Sequence, residues 1–205
     1  MVRIVLFDFD GTLADTLAIG VASANRISRE YGYREIEDVS IIREKRWRDV
    51  VREIGIPFYR IPGYARRLRA TLRQSHKDAR LFAGIDTIIA QLRETYEVGV
   101  MTSNAAEIVE GILRREGVSV DFVIGSVPLF RKHRALRLFL QERTIVAEDV
   151  IYVGDERRDI RACRRAGVRI IAVTWGFHAE ASLRRESPDF LAHTPDEILR
   201  ILRGL

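Results

Sequence analysis

Asp8 and Asp10 stand two residues apart at the end of an apolar run, Val2-Arg3-Ile4-Val5-Leu6-Phe7, and are followed by Gly11 and Thr12. Such a run reads as a buried strand bounded by a turn. In a strand, side chains two apart point the same way, so these two carboxylates converge on one spot. Like charges brought together raise each other's pKa. A hard divalent cation such as Mg²⁺ is the usual reason to hold them there. Gly11 permits a sharp turn, and Thr12 adds a hydroxyl. An isolated Asp-x-Asp-Gly is also an ordinary exposed turn, so the chemistry depends on what lies at the ends of other strands.

The elements that must position these groups follow from periodicity. Strands are expected at 2–7, 97–101, 121–124, 149–153 and 168–173, and helices at 84–95, 105–116, 132–141, 157–166 and 195–202. This alternation implies a parallel α/β sheet, Rossmann-like, with helices on both faces. Between the first strand and the rest, apolar residues recur at helical spacing near 15–31, 38–54 and 64–77, broken at Gly55-Ile56-Pro57 and Ile61-Pro62-Gly63. The expected organisation is a core of residues 1–14 and 80–205 with an all-helical insertion, a cap, at 15–79. Its place directly after the Asp-x-Asp turn makes it a candidate lid.

In open α/β sheets ligands bind beyond the carboxyl ends of the strands. After the 97–101 strand come Thr102, Ser103 and Asn104, opening a helix. They read either as a plain N-cap or as small hydroxyls beside free amides that receive an anion. After the 149–153 strand come Gly154-Asp155-Glu156-Arg157-Arg158-Asp159. Acidic residues at a helix start are ordinary dipole partners, yet Asp155 falls level with Asp8 and Asp10. Lys132 opens another helix, the end that cations avoid. It is one of three lysines, with Lys45 and Lys77, against 31 arginines. A compact ammonium kept in an arginine-rich chain points to a role that a planar fork does not fill.

Four segments in order, DFDGT at 8–12, VMTSN at 100–104, Lys132 in PLFRKHRAL and VGDERRDI at 153–160, resemble the four motifs of the haloacid dehalogenase superfamily of hydrolases. The helical insertion after the first motif, and Val173-Thr174-Trp175-Gly176-Phe177, resemble its phosphoglycolate phosphatase subgroup. The resemblance implies a Mg²⁺-dependent phosphomonoesterase. Asp8 would be the nucleophile that forms an aspartyl-phosphate, and Asp10 the general acid and then base. Asp8, the backbone carbonyl of Asp10 and Asp155 would hold Mg²⁺. Thr102 and Lys132 would bind phosphoryl oxygens, with backbone amides from Gly11 and Ser103. Ser103 is the alternative to Thr102 as the hydroxyl donor. Asp159 would anchor Lys132 or a metal-bound water, and Glu156 would be a further carboxylate on the metal side. Arg43 and Lys45 in the cap are candidate contacts to the non-phosphate end of the substrate, although relatives carry a glycine after the basic residue and this chain has Arg43-Glu44.

The same core motifs serve sugar phosphomutases. Dehalogenases and phosphonate hydrolases usually lack the second acid, so Asp10 favours phosphoester chemistry. A non-enzymatic regulatory protein on this fold is a further alternative. Composition narrows the classes. The chain has 205 residues, 47% of them hydrophobic, and no stretch of about 20 apolar residues that would cross a membrane. Cys163 is the single cysteine, expected in the core. No leader is recognisable and a cytoplasmic setting is expected. The net charge of +5 is spread along the helices. The expected partner is a small phosphorylated metabolite, not nucleic acid or membrane.

Overall fold

The computed structural model describes residues 2–44, 47–75, 79–128 and 130–205. Six strands form one parallel sheet: β1 (Ile4–Phe7), β4 (Glu97–Met101), β5 (Phe122–Ile124), β6 (Val150–Gly154), β7 (Arg169–Val173) and β8 (Phe190–Ala192), in the order β5-β4-β1-β6-β7-β8. β1 lies centrally, paired with β4 and β6, and all four of its residues are buried. A strand covered on both faces needs no polar alternation, which is why this one reads as a continuous apolar run. Alternate residues feed two cores. Val5 and Phe7 pack with Val100, Val153 and Val173 on one face, and Ile4 and Leu6 pack with Tyr152, Ile170 and Leu136 on the other.

The helices α5 (Ile85–Leu92), α6 (Ala106–Arg115), α7 (Lys132–Arg143), α8 (Arg157–Ala166) and α10 (Pro195–Arg203) connect or follow these strands. Each lies within a residue or three of its sequence expectation. In this part of the fold the edge strand β8 and the short helix α9 (Glu180–Arg184) have no sequence counterpart. β8 is only three residues long and only partly buried, so it carries no periodic signal.

The winding reverses beside β1. From β1 the chain passes to β4 and β5 on one side, then crosses to β6, β7 and β8 on the other. This switch point opens a crevice at the carboxyl end of β1.

The inserted segment leaves through β2 (Ala14–Asp15) and returns through β3 (Arg80–Leu81), which pair antiparallel. Between them lie α1 (Leu17–Tyr31), α2 (Ser40–Glu44), α3 (Trp47–Ile54) and α4 (Ile61–Ser75). The helical run expected over 38–54 is two helices, with 45–46 outside the described residues. α1 ends at Gly32 in the left-handed conformation, φ 70°, with the Tyr33 N–H on the Ser28 carbonyl. Ala24, Ile36, Ile54 and Ile56 form a separate small core in this segment.

Positive charge is less evenly spread than composition implied. No acidic residue occurs from Ile54 to Ser75, against five arginines. Arg60, Arg66 and Arg67 share with Tyr31, Tyr33, Tyr59 and Tyr64 a shallow groove of about 630 Å³.

Candidate active site

Asp8 follows β1 directly, and its N–H donates to the Val153 carbonyl at 2.8 Å, fixing the residue against β6. Its Oδ1 accepts the Phe9 N–H at 2.8 Å. Its Oδ2 accepts from the Lys132 ammonium at 2.9 Å. The same ammonium donates to Asp159 Oδ1 at 2.6 Å and lies 5.2 Å from the centre of the Tyr152 ring. Lys132 opens α7 and is buried, so its placement at the unfavourable end of a helix is resolved by two carboxylates rather than by water.

Asp155 follows β6 and is fully buried. It accepts the Thr12 hydroxyl at 3.2 Å and the Phe177 N–H at 2.6 Å. Asp159, also fully buried, accepts the Glu156 N–H at 3.3 Å and so caps α8 as well as holding Lys132. One carboxylate oxygen from each of Asp8, Asp155 and Asp159 lies within 4.8 Å of the other two.

Glycines make this gathering possible. Gly11 has φ +74°, and a Cβ there would lie 2.2 Å from Asp155 Oδ2. A Cβ on Gly176 would lie 2.2 Å from the Gly11 carbonyl and 2.3 Å from the same carboxylate oxygen. A Cβ on Gly154 would lie 2.8 Å from Asp159 Oδ2. Each glycine leaves the space that a carboxylate occupies.

The electrostatics of the cluster are unbalanced. Burial pushes the Asp8 carboxyl up to about 7, against the pull of the Lys132 charge. Asp155 is driven well above the usual carboxylate range by burial, then by the charges of Glu156, Asp8 and Asp159. Burial disfavours the Lys132 ammonium, but Asp159 and Asp8 overcome it and hold the amine firmly protonated. One ammonium does not balance three buried carboxylates. An oxygen-rich, anionic pocket of this kind suits Mg²⁺, which prefers a few carboxylates and completes its shell with water and phosphate oxygens. The donor set therefore fits the metal that the sequence implied.

A cavity of about 20 Å³ beside the cluster is lined by Asp8, Asp10, Ser103, Val127, Lys132, Glu156 and Arg158. Asp10 Oδ2 accepts from Asn104 Nδ2 at 2.7 Å. Ser103 is exposed on the cavity wall, whereas Thr102 is fully buried with its hydroxyl accepting the Asn104 N–H at 3.1 Å. Of the two candidate hydroxyls, the structure thus puts Ser103 on the cavity and Thr102 inside the loop. The Gly11 N–H, expected as a phosphate donor, is occupied by the Ala14 carbonyl at 2.9 Å. Gly11 contributes the turn. Glu156 pairs with Arg158 rather than joining the three clustered carboxylates. Arg43 does not line the cavity. Its Nη2 donates to the Thr174 carbonyl at 3.1 Å and its own carbonyl accepts the Ala179 N–H at 3.0 Å, so it joins the inserted helices to the loop after β7. Lys45 lies outside the described residues.

A sequence model described as haloacid dehalogenase-like hydrolase matches residues 5–173. The chain belongs to the haloacid dehalogenase-like hydrolase family. It is 34% identical over 206 residues to a phosphoglycolate phosphatase of Synechococcus elongatus, covering 98% of this chain and 97% of that protein. It is 24% identical over 225 residues to a phosphoglycolate phosphatase of Vibrio cholerae, covering 98% and 97%. Among solved structures, a haloacid dehalogenase-like hydrolase from Streptococcus pneumoniae superposes with a TM-score of 0.83 at 24% identity, covering 98% of both chains. A predicted phosphatase from Clostridium acetobutylicum gives 0.83 at 21% identity, covering 100% of both. These two establish the shared fold.

Four contributors to this haloacid dehalogenase-like site were not singled out from the sequence. Asn104 orients Asp10, and its signal lay in the Thr-Ser-Asn segment. Phe177 and Gly176 hold Asp155, inside a segment that resembled the subgroup without a role attached. Arg158 carried no signal of its own, being one arginine among 31.

Proposed function

We propose that the chain is a Mg²⁺-dependent phosphomonoesterase that acts on a small phosphorylated metabolite, phosphoglycolate being favoured, through an aspartyl-phosphate on Asp8. The observation that carries this reading is the shared ammonium: Lys132 reaches Asp8 at 2.9 Å and Asp159 at 2.6 Å, beside a third buried carboxylate. Residues 15–79 would form the cap and 1–14 with 80–205 the core.

Asp8, Asp155 and the Asp10 carbonyl would hold Mg²⁺, with Asp159 supporting from behind. The metal supplies charge neutralisation between the nucleophile and the phosphoryl group. Asp8 attacks phosphorus as the ester P–O bond breaks, and Asp10 gives its proton to the departing oxygen. Water then attacks the phosphoryl group and loses a proton to Asp10, releasing inorganic phosphate and regenerating the Asp8 carboxylate. Lys132 keeps Asp8 ionised and, with Ser103, meets phosphoryl oxygens. Thr102 shapes the loop that presents Ser103. Asn104 holds Asp10 toward the leaving group.

The names of the Synechococcus and Vibrio relatives support phosphoglycolate as the substrate. Hydrolysis of p-nitrophenyl phosphate and of phosphoglycolate, each with Mg²⁺ and with EDTA, tests the reading. Turnover that requires Mg²⁺ and falls about 10⁴-fold or more in Asp8→Asn is the expected result. Turnover retained in EDTA or in Asp8→Asn would overturn it.

A further inference from the structure

Arg158 lies in the first turn of α8, on the wall of the cavity that holds Asp8, Asp10, Ser103 and Lys132. No step of the hydrolysis above uses it. Like Lys132, it is a cation at the helix end where the dipole disfavours one. Lys132 is matched by two carboxylates. Arg158 is matched by one: an Nη2 donates to Glu156 Oε1. The Glu156 carboxylate fixes one edge of the guanidinium and leaves donors over for another group.

The chemistry of that group follows from what surrounds it. His178, a further basic side chain close by, is pushed down to about 4 by burial and by the neighbouring Arg158 and Arg157 charges, so it stays neutral at physiological pH, and Arg157 is taken up by Glu186. Among the described residues lining the cavity, Lys132 and Arg158 are the cations. Lys132 is committed to the nucleophile. A planar fork with spare N–H groups suits a carboxylate, which it binds in two parallel hydrogen bonds.

We propose that Arg158 determines specificity: its untied guanidinium edge receives a carboxylate carried by the leaving group, so that phosphorylated hydroxy acids are preferred over phosphorylated alcohols. This rests on the phosphatase reading, with phosphoglycolate favoured, and adds to it the residue that receives the substrate's carboxylate. Glu156 acts as a positioning residue that sets the plane of the fork. The preference then comes from the core domain, in contrast to the expectation that cap residues such as Arg43 supply it.

The test compares the Mg²⁺-loaded full chain with Arg158→Gln and Arg158→Lys on 2-phosphoglycolate and on ethyl phosphate, which has the same carbon count and no carboxylate. The wild type is expected to favour phosphoglycolate in kcat/KM by about 10²-fold or more. Arg158→Gln is expected to lose about 10²-fold on phosphoglycolate, chiefly through KM, and far less on ethyl phosphate. Arg158→Lys should fall between, since it restores charge without the fork. Equal losses on both substrates would assign Arg158 to the phosphoryl group or to folding and overturn the inference, as would no loss at all. If Arg158→Gln melts much earlier than the wild type, the ratio between the two substrates in Arg158→Lys decides. A wild type active on both substrates without preference sinks this inference alone. A wild type active on neither sinks the phosphatase reading with it.

Discussion

At the scale of single residues, the site depends as much on missing side chains as on present ones. Asp155 is held by a hydroxyl from Thr12 and an amide from Phe177. Both are delivered by turns that only glycine allows, at Gly11 and Gly176. Adding one methyl at Gly176 would place a carbon 2.2 Å from the Gly11 carbonyl oxygen and 2.3 Å from Asp155 Oδ2. Backbone cannot yield there as a flexible side chain would, so the 174–178 loop must shift and take the Phe177 N–H with it. Gly176→Ala is therefore expected to raise the Mg²⁺ concentration needed for half-maximal activity by about 10–100-fold, the usual cost of disturbing the groups that orient a metal ligand. Gly111→Ala is the matched control. Gly111 is exposed in α6 with nothing within 4 Å of its added carbon, so that change should raise stability by about 0.5–1 kcal/mol and leave Mg²⁺ activation alone. Titration of activity with Mg²⁺, alongside thermal melts, checks both.

At the scale of elements, α8 is the piece that must stay put, since Asp155 precedes it and Asp159 lies in its first turn. It is tied down from outside by Glu186, just beyond α9. The Glu186 carboxylate accepts from Arg157 at 2.6 and 2.9 Å and from Arg161 at 2.5 and 2.8 Å, where Arg161 Nη2 shares Oε1 and Nε takes Oε2. The hydrogen bonds from Arg161, then those from Arg157, lower its pKa from 4.5 to about 2 against the opposing effect of burial. A carboxylate lowered in the fold stabilises wherever it is ionised in both states. That contribution is complete above about pH 4.5 and disappears as pH falls toward 2. Because Arg161 is half exposed, the contribution is discounted to about 1–2 kcal/mol. Urea unfolding should show Glu186→Gln less stable by that amount at pH 7, with the gap narrowing between pH 4.5 and pH 2. Little of this clamp was legible beforehand. Strands buried on both faces and helices with one apolar stripe announce themselves through periodicity, and four carboxylates and a lysine at strand ends announced the site. α9, β8 and the Glu186 clamp rest on contacts between segments 20 to 30 residues apart, which leave no local period. Which of Thr102 and Ser103 lines the cavity was open in the sequence for a related reason. Which of two adjacent hydroxyls faces a cavity depends on the loop's backbone, and residue type says nothing about that.

At the scale of the whole molecule, the described residues that line the cavity of about 20 Å³ all come from outside the inserted helices. The inserted helices are joined to the rest by links such as the bond from Arg43 to the Thr174 carbonyl in the loop after β7. The same loop supplies the Phe177 N–H to Asp155. Charge is least balanced at the buried cluster: three carboxylates lie within 4.8 Å of one another, and the Lys132 ammonium bonds two of them, Asp8 and Asp159. In the metal-free protein burial and the repulsion among these carboxylates oppose folding, and the raised pKa values of Asp8 and Asp155 express both as a tendency to take up protons instead. Mg²⁺ should relieve the repulsion. A ligand that binds only the folded state stabilises by RT ln(1 + [L]/Kd), about 2.7 kcal/mol at a hundred times Kd. For a chain of 205 residues each kcal/mol moves Tm by about 2–4 °C, so saturating Mg²⁺ should raise the melting temperature by about 5–10 °C at pH 7.5 without any substrate present. The increase should shrink to near zero in Asp155→Asn, which keeps the side chain's size and removes its charge. It should also diminish below pH 6, where protons compete for Asp8. A melting temperature indifferent to Mg²⁺ in the wild type would mean that Lys132 and bound protons already balance the cluster, and that the carboxylates were gathered for something other than a metal.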